Sequence, residues 1–324
     1  MTDTTQTPAT ARPSHARSQA HIPVIALVLL ALACVAPFFL YPVFLMKVLC
    51  FALFAAAFNL LLGYGGLLSF GHAAFFGGAA YVSAHAAKVW GLTPELAILS
   101  GTLAAGLLGL VIGALSVRRQ GIYFAMVTLA FAQMVYFFAL QAPFTGGEDG
   151  IQRVPRGHLF GVISLESNLT LYFFVLAIVT LGLLIIYRIV NSPFGQVLKA
   201  IRENEDRATS LGYRVGHYKL AVFVLSAALS GMAGATKAIV FQLASLTDVA
   251  WTMSGEVVLM TLIGGMGTIF GPLLGAGIIV AIQNYFATAG AWVTVIQGFI
   301  FVIGVLLFRT GIIGVISQWL KRPL

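Results

Sequence analysis

The chain has 324 residues, of which 60% are apolar and only 9% charged, with a net charge of +8. A soluble domain of this length carries about 25% charged residues, so a soluble globule is excluded. The length instead leaves room for roughly eight to eleven spans of about 20 residues each and no separate soluble domain.

The first stretch, 1–21, is rich in Thr, Ser, Ala and Pro and is expected to form a disordered cytoplasmic tail. The apolar run from Ile22 to Leu45 is too long for the apolar core of a signal peptide. The AlaLeuAlaCys stretch ending at Cys34 has Ala31 where a lipoprotein cleavage box usually has Leu, so an uncleaved first span is expected. Hydropathy predicts ten membrane segments, at 22–45, 47–68, 72–90, 95–115, 122–141, 169–190, 218–238, 256–268, 271–286 and 291–308. The eighth and ninth are short and read equally as two segments or one broken unit. Cys34 and Cys50 fall within apolar runs and imply no disulfide framework.

Lys and Arg set the orientation. With the N-terminus inside, thirteen of the eighteen fall in inner loops and five (Lys47, Lys88, Arg153, Arg156 and Lys237) fall outside. Both termini come out cytoplasmic, with 309–324 as the C-terminal tail. The basic charge is thus a topology signal, and no nucleic-acid partner is needed to explain it.

The stretch GYGGLLSFGHAAFFGGAAY, Gly63 to Tyr81, carries residues that weaken a helix. Lipid offers backbone groups no partner, so irregular backbone survives only where protein or water covers it. A second stretch, LIGGMGTIFGP, is punctuated in the same way, with Gly267 then Phe270-Gly271 against Gly66 then Phe70-Gly71. Broken segments in two halves of a transporter point to its pathway. The candidate path residues are Gly65, Gly66, Ser69, Phe70, Gly71 and His72, with Gly264, Gly265, Gly267 and Gly271. The competing reading is tight helix packing remote from any substrate. For His72 the alternative is a neutral histidine bonded to a backbone carbonyl. Asn59, Gln133, Gln283 and Asn284 read as interhelical hydrogen-bonding residues, and Glu256 as a helix N-terminal carboxylate. None of these forms a metal site.

Two loops stand out. The outer loop 142–168 is punctuated by Gly and Pro and reads as turn-rich. The inner loop 191–217 holds SPFGQVLKAIRENEDRATSLG. Ser192 caps a helix, Pro193 suits its first position and Gly212 its left-handed end. Phe194, Leu198, Ile201, Ala208 and Leu211 share one face, while Lys199, Arg202, Glu203, Asp206 and Arg207 lie mainly on others. One amphipathic helix of about 18 residues over 193–211 is expected. It either rests on lipid headgroups or docks a cytoplasmic partner.

The chain holds no GxxxxGK[ST], HExxH, paired CxxC or GxSxG motif, so catalysis by it alone has no visible support. A secondary transporter would show intramembrane carboxylates away from the rims, and none is read here.

Three separated blocks carry a family resemblance: NLLLGYGGLLSFGHAAFFGGAAY (59–81), GQVLKAIRENEDRATSLGYRVGHYKLAVFVLSAALSGMAGA (195–235) and GEVVLMTLIGGMGTIFGPLLGA (255–276). They resemble bacterial ABC importer permeases of the branched-chain amino acid, LivM-like type. The resemblance implies an all-α polytopic membrane protein with a type II-like permease architecture over 22–308. It implies a non-catalytic subunit importing leucine, isoleucine and valine across the inner membrane. Related permeases for urea, short amides or other amino acids share these blocks. The implied partners are two ABC ATPase subunits, which bind ATP and Mg while this chain binds no cofactor, a second LivH-like permease in a heterodimer, a periplasmic substrate-binding protein and membrane lipid. The coupling helix at 193–211 would engage an ATPase through Phe194, Gly195, Leu198, Ala200, Ile201, Glu203, Glu205, Arg207 and Gly212.

Overall fold

The computed structural model describes residues 21–286 together with 292, 295, 298, 299, 302 and 311–314. The expected N-terminal tail up to residue 20, most of the segment at 291–308 and most of the tail at 309–324 lie outside the described residues. What is described is an all-α membrane protein. Its helices are α1 (His21–Val35), α2 (Pro42–Asn59), α3 (His72–Lys88), α4 (Pro94–Ser116), α5 (Gly121–Gln141), α6 (Asn168–Val190), α7 (Pro193–Glu203), α8 (Glu205–Ser210), α9 (Val215–Phe241), α10 (Leu246–Val249), α11 (Trp251–Gly264) and α12 (Gly271–Tyr285). Among these, α2 with its extension to Tyr64, α4, α5, α6 and α9 are long and apolar enough to cross a membrane. At 1.5 Å per residue, α3, α11 and α12 run only about 21–26 Å, short of the roughly 30 Å hydrocarbon layer.

The single span expected over 22–45 is divided. Helix α1 stops at Val35, a short turn holds Pro37, and α2 restarts with Pro42 in its first turn. Proline lacks the N–H that continues a helix and is tolerated where a helix begins. The segments expected at 256–268 and 271–286 are two separate helices, α11 and α12.

Helix packing rests on small residues. Gly101, Ala105, Gly109 and Gly113 recur every fourth residue on α4 and meet Ala235, Gly231, Ala227 and Phe223 of antiparallel α9. A Cβ on Gly101 would fall 2.9 Å from that of Ala235, and one on Gly113 2.8 Å from the Phe223 ring. In lipid, where burying apolar surface gives no drive, this close approach supplies the dispersion contacts that hold helices together. The opposite face of α4 presents Leu103, Leu107 and Leu110 outward.

Two sets of connections gather at opposite ends. At one end the Asn59–Gly71 break, the α7–α8 segment and the α11–α12 turn are joined by hydrogen bonds. At the other end β1 (Ile151–Gln152) pairs antiparallel with β4 (Leu243–Ala244), and Lys88 donates to the Gln152 carbonyl at 2.7 Å. Strands β2 (His158–Leu159) and β3 (Ile163–Ser164) form a hairpin in the same loop. Lys237, expected in an outer loop, lies within α9 and forms an ion pair with Asp248 of α10. Asp248 is 1% exposed.

Candidate functional site

The Gly63–Tyr81 stretch is the broken connection between α2 and α3. Helix α2 ends in a π-turn, Leu60–Tyr64, in which the Gly65 N–H reaches back to the Leu60 carbonyl and the Leu67 N–H to Leu61. Gly66, at φ +70°, turns the chain back. The polar groups this frees are met by hydroxyls from elsewhere. Thr128 of α5 accepts from the Phe70 N–H (3.2 Å), Ser69 from the Gly71 N–H (3.1 Å), and Ser254 of α11 from the Ala73 N–H (2.9 Å). The N–H groups of Phe70, Gly71 and Ala73, around the start of α3, therefore find partners within the protein, as a break at membrane depth requires.

The second break, between α11 and α12, closes in the same manner. Thr268 Oγ1 accepts from the Gly271 N–H (3.1 Å) and donates to the Gly265 carbonyl (2.9 Å). The two breaks touch. Asn59 Oδ1 accepts from the Gly267 N–H (2.9 Å), while its Nδ2 donates to the Thr268 carbonyl (2.8 Å). A Cβ on Gly63 would lie 2.6 Å from the Gly267 nitrogen, so the two backbones are in contact there.

Arg202 of α7 completes this junction. Its guanidinium donates to the Gly63 carbonyl. Its stem runs along Gly66, where an added Cβ would meet Cγ at 3.0 Å, and a Cβ on Gly267 would sit 3.3 Å from one guanidinium nitrogen. One turn earlier, Lys199 lies over the Tyr64 ring at 5.6 Å.

Of the other path candidates, Gly65, Ser69, Gly71, Gly264, Gly265 and Gly271 are buried within the chain, Phe70 and Gly267 are half-buried, and Gly66 is exposed beside Leu68 and Met266. His72 has no exposed surface. Phe58, Phe75 and Phe223 surround its ring edge-on. Its Nε2 lies 2.8 Å from Ser226 Oγ, and that hydroxyl donates to the Ala57 carbonyl at 2.6 Å. The hydroxyl proton being committed to Ala57, Nε2 is the donor, which makes Nδ1 the bare acceptor, and Nδ1 is without a partner. The expected backbone-carbonyl bond is thus relayed through a serine. Glu256, expected to favour a helix start, instead sits in the second turn of α11 and accepts from Gln283 at 2.9 Å. Among the described residues, no three His, Cys, Asp or Glu side chains come together as a metal site.

The surface segment differs from the single helix expected. Ser192 Oγ accepts from the Gly195 N–H (3.3 Å) and Pro193 opens α7 as read, but the helix stops at Glu203. Asn204 adopts extended backbone and its Oδ1 accepts from the Arg207 N–H (2.9 Å), capping a second helix, α8. Asparagine at a helix start competes with the helix interior through this bond. Gly212, at φ +88°, ends the segment. Leu198, Ile201 and Ala208 are buried and Phe194 is half-buried, whereas Leu211, read on the same face, is 72% exposed, because the break at Asn204 resets the helical phase. A Cβ on Gly195 would overlap the Ile189 and Val190 carbonyls. Glu205 is bound by Lys219 of α9 at 2.6 Å. Ala200, Glu203, Asp206, Arg207 and Gly212 face outward.

Thr128, Ser226, Ser254 and the full role of Arg202 escape inspection of the sequence. Hydroxyl residues within apolar helices were the available signal, but their partners lie 58 to 181 residues away.

Fold and site together define a polytopic helical membrane protein: short, interrupted spans meeting at one end beneath an amphipathic helix pair. The family model described as branched-chain amino acid transport system / permease component matches residues 41–307, and the chain belongs to that family. It is 30% identical to the high-affinity branched-chain amino acid transport system permease protein LivM of Salmonella typhimurium and 31% identical to that of Escherichia coli, each over 68% of this chain and 58% of the relative. It is 29% identical to the ribose import permease protein RbsC of Bacillus subtilis over 55% of this chain and 58% of the relative. The chain thus spans less than two thirds of the length of these relatives. No solved structure matches it. The resemblance carried by the three sequence blocks is upheld.

Proposed function

We propose that the chain is the non-catalytic permease subunit of an ATP-driven importer for branched-chain amino acids. One observation carries this beyond family membership. In a chain without a P-loop, α7–α8 buries Leu198, Ile201 and Ala208 against the bundle and turns Glu203, Asp206, Arg207 and Leu211 outward. A lipid-binding helix would point its apolar face away from the protein. Here that face is already covered, and the mixed charges left outside suit a protein surface.

On this reading two ATPase subunits dock at the α7–α8 end, which is cytoplasmic, as are both termini, in the bacterial inner membrane. A second, homologous permease completes the path, and a periplasmic binding protein delivers solute to the β1–β4 end. The two breaks flank the translocation path, and ATP and Mg stay on the ATPases. The similarity to a ribose import permease favours a second reading, the same machinery for another small polar solute. The deciding experiment is binding-protein-dependent uptake of labelled leucine, urea and ribose by the reconstituted complex. ATP-dependent leucine uptake is expected. Uptake by the purified chain alone, or no ATP-dependent uptake of any of the three, refutes the reading.

A further inference from the structure

We propose that Arg202 is a positioning residue that links the surface helix α7 to both broken segments, so that movement of the docked helix reaches the N-terminal ends of α3 and α12. The proposal rests on the reading of α7–α8 as the ATPase dock.

The argument starts with the Gly63 carbonyl. The π-turn leaves it without a backbone N–H among the loop and turn hydrogen bonds, and the Arg202 guanidinium takes that place. Arg202 is otherwise exposed, but a charged donor on a carbonyl makes one of the stronger hydrogen bonds available to a protein. The same side chain lies against Gly66 and Gly267. Three glycines from two separate breaks therefore converge on one arginine, and a Cβ at any of them would crowd the junction. Asn59 ties the breaks to each other through Gly267 and Thr268.

The other end of the link is rigid. Arg202 follows buried Ile201 in the last turn of α7, directly before the break at Asn204. Leu198 and Gly195 seat that helix on the bundle. Lys199, three residues earlier on the same face, adds a contact to Tyr64. A shift or rotation of α7 thus carries two cationic groups that hold residues 63–66. Glu205 and Lys219, paired with each other, hold α8 to α9 instead.

The test uses the complete importer, with this chain, its partner permease, the ATPases and the binding protein in proteoliposomes. The solute is labelled leucine, or whichever of urea and ribose the wild-type complex takes up. Arg202→Met keeps the apolar stem on Gly66 and removes the guanidinium. Solute moved per ATP hydrolysed is expected to fall about tenfold, in line with a lost charged hydrogen bond, while ATPase co-purification and basal hydrolysis stay at wild-type levels. Arg202→Lys keeps one donor without the planar fork and is expected to recover part of the ratio. A wild-type ratio in R202M overturns the proposal. So does loss of ATPase co-purification, which makes Arg202 a docking contact, and so does absence of the variant from the membrane fraction, which makes it a folding residue. Failure of the wild-type chain to co-purify with ATPases refutes the docking reading instead.

Discussion

The ion pair between Lys237 and Asp248 offers the sharpest test of how the far end of the bundle is held. Asp248 sits on the four-residue helix α10, which packs against Gly77 of α3, and Ser245 Oγ donates to its second oxygen at 3.3 Å. The carboxylate side chain is 2% accessible and the lysine 16%, with Nζ 5.8 Å from the Phe76 ring. Removing one member of a buried pair costs about 3–5 kcal/mol, because the survivor is left as an uncompensated charge. Lys237 retains a thin route to water and the face of Phe76, which places Asp248→Asn toward the lower end, about 3 kcal/mol. Lys237→Met strands the more deeply buried carboxylate and belongs toward the upper end. At roughly 2–4 °C per kcal/mol for a chain of this size, the single variants should lower the melting temperature by about 6–20 °C. The double variant, with no charge left to strand, should recover at least half of the summed loss. The assay is thermal unfolding in detergent micelles followed by size-exclusion chromatography. A double variant that loses the sum of the singles refutes the coupling, and singles that match wild type refute the burial argument.

Three further outcomes follow from the geometry. Gly77→Ala would press a Cβ to within 2.7 Å of the α10 backbone and should cost about 1–3 kcal/mol, while Gly78→Ala, one residue on and facing open space, should be neutral or stabilising by up to about 1 kcal/mol in the same melting assay. Ser254→Ala removes the acceptor for the Ala73 N–H and should cost about 1 kcal/mol, with faster amide exchange confined to the start of α3. Glu205→Gln should leave ATPase co-purification intact, since that carboxylate already serves Lys219, whereas the double variant Glu203→Ala/Arg207→Ala should weaken it about tenfold or more.

Much of this architecture is local chemistry and is legible as such. Ser192, Pro193 and Gly212 mark the surface segment because caps act within three or four residues. Asn204 was equally legible: an asparagine followed by Glu205 and Asp206 is a helix start, yet the apolar repeat from Ile201 to Ala208 spans it at the helical interval and hides the break. The four-residue rhythm of Gly101, Ala105, Gly109 and Gly113 also stood in the sequence, but hydropathy alone reads that stretch as an undifferentiated apolar span. Pro37 and Pro42 cut the first run for reasons a hydropathy window averages away. What no window holds is the junction. Asn59 and Gly267 are 208 residues apart, and Arg202 and Gly63 are 139 apart. Arg202 was therefore visible only as one more charge on the polar side of an amphipathic helix.

The two breaks also explain each other. Each places a hydroxyl (Ser69 or Thr268) two or three residues before a glycine that follows phenylalanine, and in each that hydroxyl accepts the glycine N–H just as a new helix begins. Each has a positive-φ glycine upstream, Gly66 or Gly267, where the chain reverses. The same device at both places gives two short helices, α3 and α12, whose first turns are fixed by side chains and not by a continuous backbone ladder. Such ends shift more readily than the middle of a helix, since only a few hydrogen bonds must be remade. Gly63 and Gly267 meet backbone to backbone, so a shift of one end presses on the other. A membrane subunit that must change shape at one end, while α4 and α9 stay locked along their glycine seam, needs its movable parts coupled and few. On the proposed reading, the Asn59 bridge and the Arg202 contact provide that coupling.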